Sequence, residues 1–320
     1  MVKRSKRMVM TVLLSLLLLL GSVFPVSAST WNLKGDTNVH DPAYIVEKGT
    51  GTHWVFSTGS GLQVLYSTDG TTYNRSLPIF TAKPAWWSSY VPNQSGLDVW
   101  APDIFYYNGT YYLYYAISTF GSKVSAIGLV TTTSISGGKW TDQGLVISSN
   151  DSSSYNAIDP NLTQDEKGNL WLTFGSWSNG IYITAIDKST MKPSGNAYRI
   201  ATKSGGIEAP NIVYNPNTGY YYLFVSIGKC CSGLDSTYQV AVGRSKSILG
   251  PYVDKNGTDM KNGGASVIDS GNSAWAGPGG QDIEGISIIA RHAYSAAENG
   301  APKLLISDLY WDSSGWPYYN

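Results

Sequence analysis

The sequence predicts an all-β protein, a single five-bladed β-propeller whose four-stranded antiparallel blades surround a central channel. Five β-like runs open beside a proline, and an aromatic-rich run follows each opening within about a dozen residues. The openings recur every 49 to 70 residues, which leaves room for four short strands per unit but none for a helical layer. Radial repetition of four-stranded units is typical of propellers. The openings lie at 40–42, 100–103, 158–160, 207–210 and 277–281.

Three further strands are expected in each blade. The second strands are the aromatic-rich runs, the third strands are apolar runs that follow them, and the fourth strands lie at the outer edges. The last blade ends close to the end of the chain, so few residues remain to close the ring. Second strands are predicted at 52–58, 110–116, 169–175, 220–226 and 285–295, third strands at 62–67, 123–131, 180–186, 238–244 and 303–308, and fourth strands at 78–80, 144–147, 198–201 and 266–269.

Turn sequences separate these runs. Asn-Gly and Asp-Gly dipeptides between apolar runs favour the primed turns that hairpins require, so we expect tight hairpins between first and second strands. The connections 83–97 and 228–236 are longer, and such propeller loops commonly shape the site at one end of the channel. No segment beyond the first 28 residues predicts a capped, periodic helix. The turn sequences lie at 69–70, 108–109, 167–169, 215–219 and 256–257.

The first 28 residues have the pattern of a secretory signal peptide, which leaves 29–320 as the propeller domain. Four basic residues precede an apolar stretch at 12–24, which is shorter than the roughly 20 residues of a membrane span. We therefore expect a secreted, extracellular monomer with no membrane partner. The remaining 18 basic and 22 acidic residues give a net charge of −4. That balance offers no electrostatic footprint for nucleic acid.

The two cysteines, Cys230 and Cys231, are adjacent. A secreted chain favours a disulfide, whereas neighbouring cysteines can close only a strained eight-membered ring, so a disulfide and two buried thiols both remain open. No histidine follows nearby to activate a thiolate, so neither state predicts a catalytic role.

Three openings carry a carboxylate, at Asp41, Asp159 and Glu208. The first strand of each propeller blade lines the axis, so side chains at matching positions converge on one point. Like charges in a partly dry site cannot all stay ionised without cost, so one pKa should rise while another stays low. A protonated carboxylic acid beside an ionised carboxylate is the apparatus of glycoside hydrolysis. X-Asp-Pro is also ordinary turn chemistry, but its recurrence at matching positions favours catalysis.

Longer stretches around these residues resemble one family. The sequences VHDPAYI, VWAPDIFYYNGTYYLYYAIST, AIDPNL, LTFGSW, GGIEAPNIVYN, KCCSGLDSTYQVAVGRS and LYWDSSGWP resemble the endo-α-1,5-L-arabinanases of glycoside hydrolase family 43. The resemblance implies a propeller that cuts internal bonds of arabinan, a pectin side chain, with inversion. Asp41 matches the general base, Glu208 the general acid, and Asp159 the carboxylate that tunes and orients the acid. Inversion requires room for a water, hence carboxyls about 6.5–9.5 Å apart.

Other residues are candidate sugar contacts. Trp100 occupies the second blade's equivalent of the acidic position, where its ring can stack on an arabinose or pack in the core. His40, beside the base, can hydrogen-bond substrate or backbone. The remaining candidates lie near strand ends in stretches that match the family, namely Asn161, Ser176, Trp177 and Arg244.

One departure from the family concerns an axial metal. The resemblance implies an ion on the propeller axis, usually assigned as calcium, which a histidine of a Gly-Pro-Gly-His opening approaches. Here 277–281 reads GPGGQ, so Gln281 is the candidate ligand, directly or through a water. No organic cofactor is expected. Asp103 follows its proline, so its side chain need not face the axis, and it is expected to be structural or to hydrogen-bond a site residue. His292 is expected to be structural.

Three alternative functions share these features. A non-catalytic sugar-binding propeller would not need three converging acids. An exo-acting arabinofuranosidase or xylosidase of the same family would keep the acids and close one end of the groove. A retaining fructan-type propeller would bring two carboxyls to about 5–5.5 Å. The CCSG and LYWDSSGWP stretches favour the endo-acting enzyme.

Overall fold

Each predicted opening lies in or next to the innermost strand of one blade in the computed structural model, which describes residues 30–319. Five antiparallel blades surround a channel, which confirms the five-bladed propeller. The signal peptide expected at 1–28 lies outside the described residues.

The first two blades have four antiparallel strands each, and both gain a short additional strand. Lys34–Gly35 pairs in parallel with the outer strand of the first blade, and Gly59–Ser60 pairs with the start of the second blade's inner strand. The first blade contains Ala43–Val46, His53–Ser57, Gln63–Ser67 and Thr72–Arg75, and the second contains Asp98–Tyr107, Thr110–Ile117, Ser125–Thr132 and Thr141–Ser149.

The third and fourth blades are also four-stranded, and the fifth has three strands. The predicted second and third strands are confirmed in all five blades. These blades contain Asn161–Gln164, Leu170–Ser176, Gly180–Asp187 and Tyr198–Ala201, with a short strand Lys192–Pro193; then Ile207–Asn215, Tyr220–Ile227, Gln239–Ser245 and Ser266–Asp269; then Trp275–Glu284, Ile288–Ser295 and Ala301–Asp308.

Little of the described chain is helical. A four-residue α-helix, Trp87–Tyr90, lies in the long connection after the first blade. A small hairpin formed by Tyr310–Trp311 and Pro317–Tyr318 follows the last blade. The 3₁₀ turns are Gly233–Asp235, Met260–Asn262 and Ala296–Glu298.

The outer strand of the first blade was predicted wrongly at 78–80 and is instead Thr72–Arg75. The side chain of Asp69 accepts the backbone amides of Thr71 and Thr72 at 2.8 and 2.7 Å, so the chain reverses directly after the third strand. The Asp69–Gly70 turn therefore joins the third and fourth strands, and 256–257 lies between the same two strands of the fourth blade. The other three turn sequences join first and second strands as expected.

The N-terminal segment closes the ring. The amide of Trp31 donates to the carbonyl of Ile306 at 2.7 Å, and the amide of Leu304 donates to Thr37 at 2.8 Å. Residues 30–39 thus run beside Ala301–Asp308, the outermost of the fifth blade's three strands. This pairing explains how the blade is completed although few residues follow it in sequence.

The apolar core is divided among five clusters, which matches the five interfaces between neighbouring blades. Each cluster joins side chains of two blades, as Tyr114 and Phe174 do between the second and third. The blades are thereby packed face to face, and their inner strands are left to line the channel.

Candidate active site

The three carboxylates predicted from separate openings do converge. Asp41, Asp159 and Glu208 line one cavity of about 530 Å³ at one end of the channel. They come from the first, third and fourth blades, so each reaches the cavity from a different direction. The convergence on which the sequence argument depended is therefore present in the structure.

The backbone at the openings turns these side chains toward the axis. Asp41 and Asp159 have left-handed backbone angles, with φ of 49° and 54°. Such angles are uncommon and costly for residues with a side chain, and they cluster at functional sites. The fifth blade has Gly280 here, where a Cβ atom would collide with the carboxylate of Asp41. The matching positions Ala101 and Ala209 are also left-handed, at 37° and 49°.

Asp41 lies among groups that favour its ionised form. The hydroxyl of Thr58 donates to Oδ2 at 2.7 Å, and Nδ1 of His40 lies 2.8 Å from the same oxygen. Burial alone would raise the pKa of Asp41, but the charge and contact of His40, together with the Thr58 hydrogen bond, hold it well below its ordinary value. An ionised carboxylate that is open to the cavity can accept a proton from water.

The surroundings of Glu208 shift its pKa in the opposite direction, upward. Burial raises the pKa of Glu208, and the negative charge of Asp41 adds to the rise, although hydrogen bonds from Tyr238 and Ser176 oppose it. The two hydroxyls donate to Oε1 and Oε2 at 2.6 and 2.9 Å. A carboxyl held in place by two partners and pushed toward its protonated form suits a general acid.

Asp159 connects the third and fourth blades. Its Oδ2 accepts the backbone amide of Ala209 at 2.9 Å, next to Glu208 in sequence. Burial and the charges of Glu208 and Asp41 raise the pKa of Asp159 well above its ordinary value. The side chain therefore fixes the backbone that carries Glu208 and limits the number of negative charges in the cavity.

The cavity continues past Glu208 into a second one, also of about 530 Å³. Trp100, Phe120 and the two cysteines line both, while Ser176 and Trp177 line the second. Phe120 is 82% exposed and Trp177 is 53% exposed, so aromatic faces are open to a ligand along the groove. The acid thus lies within a groove that extends to both sides of it.

Two candidate sugar contacts are not brought to this groove. Asn161 is buried, and its side chain bonds Asp103 and the amide of Ile212 at 2.9 Å each. Arg244 lies between the rings of Tyr220 and Trp316, 4.5 and 4.3 Å from their centroids, at the side of the fourth blade. Its position on the third strand places it near the opposite end from Glu208, since Arg244 pairs with Tyr222. Among the other candidates, His40 and Trp100 line the groove, and Ser176 reaches it by binding Glu208.

A layer of polar side chains lies deeper on the axis, at the repeat position that follows the proline. Asp103 accepts from Asn161 and from the amide of Leu162 at 2.9 and 2.8 Å. Asp282 accepts from Asn211 and from the amide of Tyr44 at 2.8 and 2.6 Å. Asp103 therefore faces the axis after all, as a hydrogen-bond acceptor that ties the second blade to the third.

Gln281, the expected metal ligand, has a hydrogen-bond partner at each end of its side-chain amide. Oε1 of Gln281 accepts from the hydroxyl of Ser226 at 2.8 Å, and Nε2 donates to the carbonyl of Ala209 at 2.6 Å. The amide thus joins the fourth and fifth blades. The narrow channel is lined by Asp41, Asp159 and Gln281 together with the deeper layer, in which Oδ1 of Asn211 is buried without a hydrogen-bond partner among residues 30–319.

Several site residues had no distinct signal in the sequence. Thr58 ends a predicted second strand, and Tyr238 begins a predicted third strand; their positions at strand ends facing the channel are the only hint of their role. Cys230 and Cys231 form a disulfide, which decides between the two open alternatives, and they line the groove. His292 is buried, as expected of a structural residue, but its Nδ1 accepts the amide of Asp41 at 3.1 Å.

Comparison with known proteins identifies the family to which this chain is similar. The model of glycosyl hydrolases family 43 matches residues 35–317. The extracellular endo-α-(1→5)-L-arabinanase 1 of Bacillus subtilis (strain 168) is 53% identical over 310 residues, which cover 94% of each chain. The extracellular exo-α-(1→5)-L-arabinofuranosidase ArbA of Cellvibrio japonicus (strain Ueda107) is 37% identical over 88% of this chain and 86% of that protein.

A solved structure gives the same result. The family 43 endo-arabinanase from Bacillus licheniformis superposes with a TM-score of 0.87 at 54% identity, covering 90% of this chain and 100% of that one. The fold, the three converging carboxylates and these relatives lead to one conclusion. The chain is a glycoside hydrolase that belongs to glycosyl hydrolase family 43.

Proposed function

We propose that the protein is an endo-α-1,5-L-arabinanase that cuts internal bonds of arabinan with inversion. The observation that carries the proposal is the opposite tuning of Asp41 and Glu208 in one groove: the pKa of the first is lowered and that of the second is raised. Similarity to the Bacillus endo-arabinanases supports the substrate.

The reaction follows from the two protonation states. Glu208 donates its proton to the glycosidic oxygen as the bond to the anomeric carbon breaks, and Asp41 takes a proton from the water that attacks that carbon from the opposite face. Each turnover leaves Glu208 ionised and Asp41 protonated, and exchange with solvent restores both. Asp159 positions Glu208 through the Ala209 amide.

The groove supplies the proposed sugar contacts. Trp100 and Trp177 offer rings on which arabinofuranose faces can stack, and His40 lines the cavity beside Asp41. Ser176 acts through Glu208, to which it donates a hydrogen bond.

Internal cutting is favoured by the two cavities on either side of Glu208, since a polymer can lie across the acid. The relative from Cellvibrio japonicus is named as an exo-acting enzyme, so end-wise release of arabinose is the second candidate. It would require one side of the groove to be blocked to a polymer.

A time course of products from debranched arabinan separates the candidates. Internal cutting should first release a spread of oligomer lengths, whereas a single short sugar would support the exo-acting enzyme. NMR of the first-formed product should show the anomer opposite to that of the substrate. Retention of the anomer would contradict Asp41 as a base and indicate a covalent intermediate instead.

Secretion and a monomeric state are part of the proposal. Relatives named extracellular support the location. Among residues 30–319, no helix is long and apolar enough to cross a membrane.

An axial cation, calcium by resemblance, is proposed with different ligands from the one expected. Asp103, Asp282 and Asn211 line the channel and offer the oxygen atoms that Ca²⁺ prefers. A bound cation would supply positive charge beneath the carboxylates. Exhaustive chelation that changed neither the rate nor the melting temperature would remove the cation from the proposal.

A further inference from the structure

Tyr294 lies outside the proposed catalytic set but lines the same cavity. It is 3% exposed and projects from Ile288–Ser295 of the fifth blade. Its hydroxyl accepts the backbone amide of Cys231 at 2.8 Å and lies 2.8 Å from Nε2 of His40, and the hydroxyl of Ser236 is within reach to donate to it. A hydrogen-bonded path therefore runs from the cysteine loop through Tyr294 to the histidine beside Asp41.

The direction of these hydrogen bonds follows from the donor at each end. The amide of Cys231 can only donate, so the oxygen of Tyr294 accepts it, and the single hydroxyl proton is free to point at Nε2 of His40. In the neutral ring Nε2 is then an acceptor and the proton is on Nδ1. Burial lowers the pKa of His40, but the charge of Asp41 raises it on balance, and the protonated ring keeps the same Nδ1 proton. That nitrogen lies 2.8 Å from Oδ2 of Asp41 and is buried without a hydrogen-bond partner among residues 30–319, so its proton lies beside the carboxylate and a small rotation of the ring would direct it there.

The neighbouring histidine has the opposite pattern. Nδ1 of His292 accepts the amide of Asp41, so its proton is on Nε2. The rings of His40 and His292 are stacked, with centroids 3.8 Å apart. The two rings thus meet Asp41 differently: Nδ1 of His40 lies close to its side chain, and Nδ1 of His292 accepts its backbone amide.

The cysteine loop determines where the amide of Cys231 points. Cys231 has a left-handed φ of 64°, which a free residue with a side chain rarely adopts. The disulfide to the adjacent Cys230 closes a small ring that restricts this backbone. Hydrogen bonds from Lys229 to Thr237 and from Ser232 to Ser236 hold the loop on either side.

We propose that Tyr294, held by the amide of Cys231, is a positioning residue that fixes His40 as its Nδ1-protonated tautomer facing Asp41. The proposal rests on the proposed function, in which Asp41 is the general base. Loss of the Tyr294 hydroxyl would free the His40 ring to rotate or exchange its proton, and the base would lose its oriented partner.

Histidine NMR tests the tautomer without any assay of activity. The chain has only three histidines, His40, His53 and His292, so ¹⁵N spectra of the labelled protein resolve each ring. We expect protonated Nδ1 in His40 and protonated Nε2 in His292. In Tyr294→Phe the His40 pattern should be lost, while that of His292 is kept. At a pH where the His40 ring is neutral, a proton on Nε2 instead of Nδ1 would overturn the proposal, because the Tyr294 oxygen would then accept from His40 instead of donating to it.

Kinetics test the positioning role. Tyr294→Phe should lower kcat about tenfold, which is part of the roughly 10²–10⁴-fold rate acceleration that general acid–base catalysis contributes. KM should change less than about twofold. The acidic limb of the kcat/KM profile should move to higher pH, because His40 would no longer hold down the pKa of Asp41. The other titratable groups facing this pair are His292, Asp159, Glu208 and Tyr238, and the ring of the variant can still pack against His292.

Two controls distinguish the possible failures. If Tyr294→Phe has the wild-type kcat and pH profile of kcat/KM while Asp41→Asn is inactive, Tyr294 has no positioning role and the proposed function stands. An active Asp41→Asn would instead remove Asp41 as the base, whatever the tautomer of His40.

Reduction tests the contribution of the disulfide. Cys231 is exposed, so a phosphine should reach it, and thiol titration confirms the reduction. We expect reduction to lower the kcat of the wild type and to leave Tyr294→Phe unchanged, because both act through the same hydrogen bond. An equal loss in both proteins, or no loss in the wild type, would exclude the disulfide from the path.

Discussion

Two sets of buried carboxylates lie on the axis of this propeller, only two residues apart in the repeat. Asp41 and Asp159 precede a proline and face the groove, whereas Asp103 and Asp282 occupy the position after it and lie deeper. The deeper pair accepts hydrogen bonds from backbone amides and asparagine side chains of the next blade. In the groove, Asp41 instead accepts the hydroxyl of Thr58 and lies beside His40, while Asp159 accepts a single backbone amide, that of Ala209.

The difference shows that burial and acidity alone do not identify a catalytic carboxylate. Each oxygen of Asp103 and Asp282 has a fixed donor from the neighbouring blade, so these groups join blades together. The deeper layer links the second, third, fourth, fifth and first blades in turn, and the chain of bonds stops at Ala43, which has no polar side chain. The first and second blades are joined instead through Thr58, which accepts the amide of Ala101 at 2.9 Å.

Replacing a carboxyl by an amide should abolish activity in the groove and have little effect on activity in the deeper layer. Glu208→Gln keeps the shape of the acid and removes its proton, so kcat on arabinan should fall by about 10³-fold or more while binding and melting temperature change little. Asp103→Asn, the matched control in the deeper layer, should keep most of the activity. Turnover of Glu208→Gln close to that of the wild type would refute its assignment as the acid.

Removal of a carboxylate from the deeper layer should act on stability instead. Asp282→Ala leaves the amide of Tyr44 and the side chain of Asn211 without an acceptor, so the free energy of unfolding should fall by about 2–5 kcal/mol. Urea denaturation measures this change. Asp282→Asn, which keeps one acceptor oxygen, should lose less, and a loss as large as that of Ala would argue against this account.

The smallest expected effect is a shift in the pKa of Glu208 when one of its hydrogen-bond donors in the groove is removed. Tyr238→Phe removes a donor that holds down the pKa of Glu208. The acid should then stay protonated to higher pH, so the basic limb of the kcat/KM profile should move to higher pH while the acidic limb stays in place. Tyr222→Phe is the control, because the Tyr222 hydroxyl contacts Gly315 and Thr218, away from the groove. A shift of the acidic limb instead would mean that Tyr238 acts on the base.

The sequence was most informative where a feature recurs. Prolines and carboxylates at matching positions predicted the five blades and the convergence of Asp41, Asp159 and Glu208, because blade geometry brings equal repeat positions to one axis. It was least informative where a bond depends on one local turn. The outer strand of the first blade was misplaced because the side chain of Asp69 reverses the chain earlier than the apolar pattern suggested.

The sequence by itself therefore determined the repeat, the strand pattern and the identity of the three acids, since these depend on periodicity and residue type. Only the tertiary structure decided which polar side chains are already saturated by a neighbouring blade, as Asn161 and Gln281 are, and which face the groove. It also decided that Cys230 and Cys231 form a disulfide and that Arg244 lies away from the groove. The physical reason is that a hydrogen-bond partner from another blade is set by packing between residues far apart in the chain, and no local pattern encodes it.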